Sequence, residues 1–226
     1  MITPPDRNSL LAKLPAVAER RIAVHVTRDA ERHIRSGHPW LFADSIVRQS
    51  HEGKPGDLAV IFDQKRRFLA IGLYDPTSPI RMRILHQGTP TNIDTAWFNE
   101  QLAAAAAVRA PLRAAGGTTG YRLLFGENDG LPGLVVDCYA TTVVVKIYTA
   151  AWIPYLSVLN ELLATVQPYQ RLILRMSRNV ADLPEYLYGL TDGAILSGPP
   201  LVGPIVFHEN HLCFEADPIH GQKTGF

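Results

Sequence analysis

The sequence predicts an α+β protein in which a small β-barrel-like module is followed by a mixed domain of helices and strands. Three observations lead to this fold class. Short apolar runs separated by tight turns follow one another closely between residues 22 and 85. Beyond residue 94, longer helical stretches are combined with strands. The uneven distribution of charge indicates two domains, since residues 20–90 hold 12 Lys/Arg against 7 Asp/Glu and residues 91–226 hold 8 against 12.

The first module is predicted from short strands and one basic helix. Strands are expected over residues 22–26, 58–62, 68–74 and 80–85. Thr27 is placed to cap a helix over residues 28–36, and Gly37 would end that helix. Residues 1–20, which contain two adjacent prolines, are expected to form a flexible extension with one loose helix at most.

The second domain is predicted to begin with one helix over residues 94–115, because the centre of this stretch is rich in alanine and Gly116 follows it. An amphipathic helix is expected over residues 153–166. Residues 177–189 are expected to be irregular. Strands are expected over residues 134–138, 142–148 and 172–176, with a closing hairpin over residues 202–215.

The cysteines and histidines do not have the spacing of a zinc site. Cys138 and Cys213 lie in apolar, strand-like surroundings without a CxxC pattern, so we expect buried free thiols of a reducing compartment. His208 and His211 have no third ligand nearby in sequence, and we expect both to be exposed.

An oxygen-ligand metal site is also not expected. Glu127 and Asp129 lie in a segment rich in glycine and proline, which is typical of a turn, and Asp137 follows it in a strand. An EF-hand would need more oxygen ligands at regular spacing. The side chains of Glu127 and Asn128 are expected to bond the amides of their own loop.

The sequence gives no sign of a membrane segment or a secretory signal. No apolar run approaches the roughly 20 residues that a membrane-spanning helix needs. Residues 1–20 lack the continuous apolar core of a signal peptide. A cytoplasmic protein without a membrane partner is therefore expected.

Three parts of the chain together resemble one protein family. The first part comprises residues 37–42 (GHPWLF), 56–60 and 68–74. The second is the long run RLLFGENDGLPGLVVD at residues 122–137, and the third is GQKTGF at residues 221–226. With these motifs the chain resembles the class I S-adenosylmethionine-dependent 23S rRNA cytosine-5 methyltransferases that carry an N-terminal PUA domain.

The resemblance implies an order of domains. Residues 21–90 would be a PUA-like RNA-binding domain, and residues 91–217 would be a central α+β domain. Residues 218–226 would begin a linker into a catalytic Rossmann-like domain that this chain lacks, so the chain is expected to be a truncated enzyme without activity of its own. The cofactor of the full-length protein would be S-adenosyl-L-methionine, which this chain alone is not expected to bind. The resemblance implies that Gln222, Lys223, Thr224 and Gly225 contact this cofactor.

RNA, with 23S rRNA as the expected species, is the partner that the resemblance implies. Candidate RNA-binding residues are Arg28, Arg32, Arg35, His38, Lys65, Arg66, Arg67, Arg81 and Arg83. For each cation the alternative is an ordinary solvated charge, and for His38 it is a role in holding a turn. Arg81 and Arg83 are expected on one exposed strand face. Trp40 is expected in the core rather than as a base-stacking platform, because Phe42 shares its strand face.

The resemblance leaves two alternative functions for this chain. The first is the RNA-recognition portion of an rRNA methyltransferase, with carbon-5 of a cytosine in 23S rRNA as the target. The alternative is a free-standing RNA-binding or ribosome-assembly module without catalysis. In either case the apolar end of the central domain is expected to be exposed and to favour self-association as a homodimer.

Overall fold

A computed structural model describes residues 10–221 of the chain. Its first sheet, the N-terminal sheet, is formed by β1 (Ile22–Val26), β2 (Trp40–Phe42), β3 (Ile46–Gln49), β4 (Leu58–Phe62), β5 (Phe68–Tyr74) and β6 (Ile80–Gln87). The strand order is β2-β6-β5-β4-β1-β3, with β1 and β4 parallel and the other neighbours antiparallel. The predicted strands are confirmed, and β6 runs two residues further than expected.

One α-helix, α1 (Arg28–Arg35), packs on this sheet. The hydroxyl of Thr27 accepts a hydrogen bond of 3.3 Å from the backbone N–H of Ala30, which is the predicted cap. Ala30 and Ile34 are buried, and the arginines of α1 therefore lie on its outer face. Gly37 follows the helix with a φ of +92°, a conformation that glycine adopts without strain.

The prediction that Trp40 lies in the core is wrong. Leu41 is the buried residue of β2, whereas Trp40 is half-buried and Phe42 is exposed. A strand presents alternate residues to opposite faces, and it is Leu41 that pairs with Met82 of β6 inside the core of this sheet. Two aromatic side chains are thus left on the outer face of an edge strand.

A second sheet, the central sheet, has the order β11-β10-β9-β8-β7. Its strands are β7 (Gly120–Phe125), β8 (Leu134–Tyr139), β9 (Thr142–Ile147), β10 (Arg171–Met176) and β11 (Ile195–Ser197). The helices of this part are α2 (Thr95–Val108), α3 (Ala110–Ala114), α4 (Leu156–Val166) and α5 (Arg178–Ala181). β9 and β10 are parallel and joined through α4, and a separate hairpin pairs β12 (Ile205–Glu209) with β13 (Leu212–Ala216).

Two predicted helices are divided in the structure. The stretch expected as one helix over residues 94–115 forms α2 and α3, with Pro111 in the first turn of α3. Proline lacks the amide hydrogen that a continuous helix needs and its ring clashes with the preceding turn. The second predicted helix begins as a 3-10 helix over Ala150–Tyr155, which contains Pro154, and only then continues as α4.

The exposure of the cysteines and histidines agrees with the sequence in part. Cys138 is buried as expected, but Cys213 is exposed because it lies on the outer side of the hairpin β12–β13. His208 and His211 are exposed, as predicted. The edge strands β3, β7 and β11 were not predicted, and residues 177–189 contain α5 as well as a 3-10 helix.

The two sheets share one hydrophobic core. Leu58 and Leu73 of the N-terminal sheet belong to the same buried cluster as Leu102 of α2 and Trp152. The hydroxyl of Tyr155 donates to the carbonyl oxygen of Gly56 at 2.9 Å and connects the two parts further. This shared core fixes the relative position of surfaces that lie on the two sheets. Of the helices within residues 10–221, none combines the length and the apolar character that crossing a bilayer demands.

Candidate nucleic-acid interface

Six of the predicted RNA-binding residues form one positively charged surface, which we call the basic surface. Three come from α1 and three from the turn between β4 and β5, and all are exposed: Arg28, Arg32, Arg35, Lys65, Arg66 and Arg67. Five of them line a common shallow depression, and Arg66 lies in the same turn. The fold therefore brings together two basic segments that are thirty residues apart in sequence.

The buried carboxylate of Asp63 organises this surface. It accepts hydrogen bonds of 2.8 Å from the backbone N–H groups of Lys65 and Arg67, and one of 3.0 Å from the guanidinium of Arg35. The backbone N–H of Arg67 is the main cause that holds the pKa of Asp63 below its usual range. The charged carboxylate thus fixes the turn and two of the arginines.

Not all of the charge on the basic surface is neutralised. Arg32 pairs with Asp29, and Arg35 pairs with Glu31 as well as Asp63. By contrast, Arg28, Lys65 and Arg66 make no ion pair with another residue in the described part of the chain. These three cations are available for the phosphate groups of a polyanion.

A series of ring contacts leads from the basic surface towards β2. The ring of His33 on α1 lies 6.2 Å from that of His38, which lies 5.8 Å from Trp40 and 6.3 Å from Phe42. The Nδ1 atom of His38 lies 3.0 Å from the carbonyl oxygen of Trp40, so this side chain does hold the turn. We call these four side chains the ring path.

The expectation that Arg81 and Arg83 form one exposed basic face is wrong for Arg83. Arg83 is only 5% exposed, and its guanidinium lies 3.8 Å from the carboxylate of Asp75. Burial lowers the pKa of Arg83, although arginine remains charged at any physiological pH. Arg81 is half-exposed, donates to the carbonyl oxygen of Pro76 and lies 6.0 Å from the ring of Tyr74.

Arg83 faces a cavity of about 570 Å³ between the N-terminal and central sheets. Trp40 stands at the mouth of this cavity and donates its indole N–H to Oε1 of Glu127 at 2.9 Å. Thr149 donates its hydroxyl to the buried carboxylate of Asp75 on the inner side. Both parts of the protein therefore contribute polar groups to one cavity that is open to solvent on one side.

Two further aromatic residues at the cavity were not predicted from the sequence. The side chains of Phe125 and Tyr148 are 47% and 46% exposed. The guanidinium of Arg122 lies 5.0 Å from the centroid of Phe125, and the ammonium of Lys146 lies 5.3 Å from that of Tyr148. The sequence spacing could have indicated the pair of Lys146 and Tyr148, because residues two apart in a strand lie on the same face.

The first of these pairs depends on an irregularity. Arg122 and Phe125 are three residues apart, and in a regular strand they would lie on opposite faces. The register between β7 and β8 shifts between Arg122 and Leu124, which indicates a β-bulge. The bulge brings the ring and the guanidinium to the same side, and sequence spacing alone did not indicate it.

The acidic residues of the motif at residues 122–137 have structural partners. Asp129 makes two hydrogen bonds of 2.7 Å to Arg109 and also accepts the backbone N–H of Phe125. Asp137 accepts from Arg122 at 2.8 Å. It is therefore Asp129, and not Glu127 or Asn128, that bonds an amide of this loop.

Within residues 10–221 there is no cluster of three or more His, Cys, Asp or Glu side chains that could hold a metal ion.

Comparisons with known proteins agree with this architecture. Residues 24–87 match the family model of a PUA-like domain. A ribosomal RNA large subunit methyltransferase of Deinococcus radiodurans is 51% identical over 94% of this chain and 53% of its own length. Ribosomal RNA large subunit methyltransferase I of Photobacterium profundum is 31% identical over 90% of this chain and 51% of its own length.

The chain is homologous to ribosomal RNA large subunit methyltransferases. It spans about half the length of the curated relatives it matches. α1, the basic surface and the ring path all lie in the part that matches the PUA-like domain.

Solved structures show the same fold. A candidate SAM-dependent methyltransferase from Streptococcus mutans has a TM-score of 0.73 and 16% identity, over 90% of this chain and 50% of its own. A candidate methyltransferase in complex with SAH also has a TM-score of 0.73 and covers 88% of this chain and 48% of its own. The predicted cofactor residues Gln222, Lys223, Thr224 and Gly225 lie outside the described residues.

Proposed function

We propose that this chain recognises RNA for the methylation of large-subunit ribosomal RNA with S-adenosyl-L-methionine. The observation that carries the proposal is the basic surface of the PUA-like domain, where Arg28, Lys65 and Arg66 have no ion-pair partner among the described residues. Such cations bind the phosphate backbone and position a protein on RNA. The names of the relatives supply the substrate and reaction class, and the complex of one structural neighbour with SAH supports the cofactor.

The finer proposal is that the target is carbon-5 of a cytosine in 23S rRNA. That reaction needs a thiolate to attack C6 of the base. Cys138 does not suit this role, because burial raises the pKa of its thiol to about 12. Cys213 lies on the outer side of the hairpin β12–β13 and does not line the cavity between the two sheets. We therefore assign no step of methyl transfer to the described residues and expect the chain alone to be inactive.

The described residues do not fit the cofactor either. A Rossmann-type cofactor site needs a glycine-rich turn between a strand and the following helix, so that the backbone can approach the ligand closely. The parallel unit β9–α4–β10 has Tyr148 and Thr149 at the corresponding turn. We derive no chemistry through the cofactor from these residues.

RNA binding is tested by the salt dependence of affinity for a fragment of large-subunit rRNA. Removal of one cation that binds a phosphate reduces the slope of log K against log salt by roughly 0.7–0.9. The triple variant Arg28→Gln/Lys65→Gln/Arg66→Gln is expected to lower the slope by about 2. These side chains are exposed and form no ion pair with another described residue, so the fold should be unaffected.

A second triple variant with the same change in net charge serves as the control. Lys13→Gln/Arg20→Gln/Arg113→Gln removes three exposed cations outside the basic surface. It should leave the slope unchanged. An equal reduction of the slope in both triple variants would mean that only net charge matters, and the basic surface would not be the RNA site.

The expected inactivity of this chain is tested by a methylation assay. Labelled S-adenosyl-L-methionine and large-subunit rRNA are supplied to this chain and to a full-length relative. Methylation by the relative alone fits both the main proposal and the alternative of an RNA-binding or assembly module without catalysis, whereas methylation by this chain contradicts both.

A cytoplasmic location and a homodimer stay predictions. Exposed Val202 and Leu212 near the hairpin are where we expect self-association, which light scattering can detect.

A further inference from the structure

The cavity between the PUA-like domain and the central sheet has a chemistry of its own, separate from that of the basic surface. Its volume of about 570 Å³ lies within the range of roughly 300–1,000 Å³ that is typical of small-ligand sites. The mouth carries Trp40, Phe125 and Tyr148, and the inner wall carries Arg83 and Ser177. Aromatic faces at the entrance are thus combined with polar groups inside.

The rings at the entrance are unusually accessible. Phe125 and Tyr148 leave almost half of their side chains exposed, although aromatic side chains gain most from burial. Each ring has a cation beside it, from Arg122 and from Lys146 respectively. Flat aromatic faces next to positive charge are the means by which proteins hold unstacked bases of single-stranded RNA.

The polar groups inside are only partly satisfied. Arg83 donates to the carbonyl oxygens of Ile80 and Tyr148 over 3.3 and 3.5 Å, and its ion pair with Asp75 spans 3.8 Å. All three distances are longer than those of strong charge-assisted hydrogen bonds. The buried Oγ atom of Ser177 has no hydrogen-bond partner in the described part of the chain. A ligand with an oxygen acceptor would give Arg83 a shorter and stronger contact.

The position of Arg83 depends on a glycine. Gly133 has a φ of +77°, and a Cβ atom at this position would lie 2.9 Å from Nε of Arg83. The absence of a side chain lets the guanidinium reach the cavity wall. Arg83 lies on β6 of the N-terminal sheet and Gly133 lies in the turn directly before β8 of the central sheet, so the arrangement arises only when the two sheets are packed together.

The ring path connects the cavity to α1, which also carries three residues of the basic surface. The ring path runs from His33 on α1 through His38 to Trp40, which stands at the cavity mouth. A strand of RNA held by its phosphates on the basic surface can therefore place a following nucleotide at the cavity without leaving the protein.

We propose that this cavity binds one unstacked nucleotide of the RNA, with the base against Phe125 and Tyr148 and an oxygen acceptor towards Arg83. The inference rests on the proposed function for the identity of the polymer. The binding of a single nucleotide, however, can be measured without RNA, so the two proposals can fail separately.

The first experiment uses the fluorescence of Trp40. The chain has three tryptophans, and Trp97 and Trp152 are buried, so quenching by an added ligand reports mainly on Trp40. The probes are the four ribonucleoside 5′-monophosphates, with ribose 5-phosphate as the base-free control and free N-acetyltryptophanamide as the correction for absorbance. Saturable quenching by at least one nucleotide and none by ribose 5-phosphate is expected.

Ring variants identify the place of binding. Phe125→Leu and Tyr148→Leu keep apolar bulk and remove the flat face, and each should weaken nucleotide binding about 5- to 100-fold. Phe214→Leu is the matched control, because that ring is 38% exposed but lies on the hairpin β12–β13. It should bind like the unaltered chain. Absence of saturable quenching, or equal quenching in all three variants, overturns the proposal.

The second experiment measures the affinity of a short single-stranded RNA for the same variants. The ring variants should bind more weakly with an unchanged salt slope, because stacking releases no counterions. Ring variants that bind RNA like the unaltered chain overturn the cavity inference and leave the basic surface in place. Quenching by nucleotides without salt-dependent RNA binding supports the cavity and contradicts the proposed function.

Discussion

Arg109 and Asp129 are joined by two hydrogen bonds of 2.7 Å each, between the end of α2 and the turn that follows β7. The same carboxylate accepts the backbone N–H of Phe125 at 2.6 Å. Arg109 also donates to the carbonyl oxygen of Arg122 at 3.2 Å. This pair therefore fixes the turn that carries Phe125 to the mouth of the cavity.

Removal of the carboxylate should be costly. Asp129→Ala leaves a mostly buried guanidinium and a backbone amide without their partner, and we expect a decrease of about 2–4 kcal/mol in the free energy of unfolding. Asp29→Ala is the control, because its pair with Arg32 is exposed and should cost no more than about 1 kcal/mol. Urea denaturation measures both, and similar decreases would contradict a special role for the Arg109–Asp129 pair.

The stability of the chain should depend on pH through Asp63. The pKa of this carboxyl is lowered in the folded state, first by the backbone N–H of Arg67. Its charged form therefore contributes stability above the unfolded pKa of about 3.9, and this contribution is lost as the pH falls through the folded value. Asp63→Asn should lower the melting temperature at neutral pH, and its difference from the unaltered chain should shrink below about pH 4.

Asp44→Asn provides the comparison for this pH series. Asp44 is exposed, and its side chain bonds only the adjacent Ser45 hydroxyl among the described residues. Its substitution should change the melting temperature little at any pH. If the difference caused by Asp63→Asn stayed constant down to about pH 3, the stability would not come from ionisation of this carboxylate.

Alanine substitutions at two glycines with nearly equal φ angles distinguish the cost of backbone strain from the cost of steric crowding. Gly198 and Gly189 have φ values of +87° and +84°. A Cβ atom on Gly198 would lie 1.9 Å from the carbonyl oxygen of Gln170, whereas one on Gly189 would meet nothing within 4 Å. Gly189→Ala should cost about 1–2 kcal/mol from backbone strain, and Gly198→Ala should cost at least about 3 kcal/mol.

The measurement for this pair is again urea denaturation of both variants. The backbone of residue 170 must move to accommodate Gly198→Ala, so the excess cost over Gly189→Ala measures the close approach of the two chain segments. Equal costs would show that the segment before β10 yields to the added methyl group.

The two cysteines should react with a thiol reagent at very different rates. Cys213 is exposed, whereas Cys138 is buried and the pKa of its thiol is raised to about 12. Native protein should be labelled once by iodoacetamide, at Cys213, and Cys138 should react only in denaturant. Cys213→Ser should abolish labelling of the native protein. Rapid labelling of Cys138 would mean that the region around β8 opens readily.

Local patterns in the sequence predicted most of the regular elements. The period-two runs of the N-terminal sheet and the cap at Thr27 involve residues close together in the chain, so their physical causes can be read there. The predictions were wrong where a local sequence pattern is compatible with two different arrangements of the side chains. The alternation of side chains along β2 allowed either Trp40 or Leu41 to face the core. In the structure Leu41 is buried and packs against Met82.

The candidate site was predicted in part. The six residues of the basic surface were identified because they are charged and clustered in two short segments. Their approach to each other depends on the pairing of Asp63 with residues from both segments. Phe125 was missed because a β-bulge turns it towards Arg122, and a bulge leaves no spacing signature in the sequence.

The sequence by itself determined the α+β class, the basic character of the first module and the likeness to a methyltransferase family. Only the tertiary structure decided that Arg83 is buried and that the two sheets enclose a cavity. The physical reason is that charge and periodicity belong to neighbouring residues. A cavity wall is formed by side chains brought together from distant parts of the chain by a shared core.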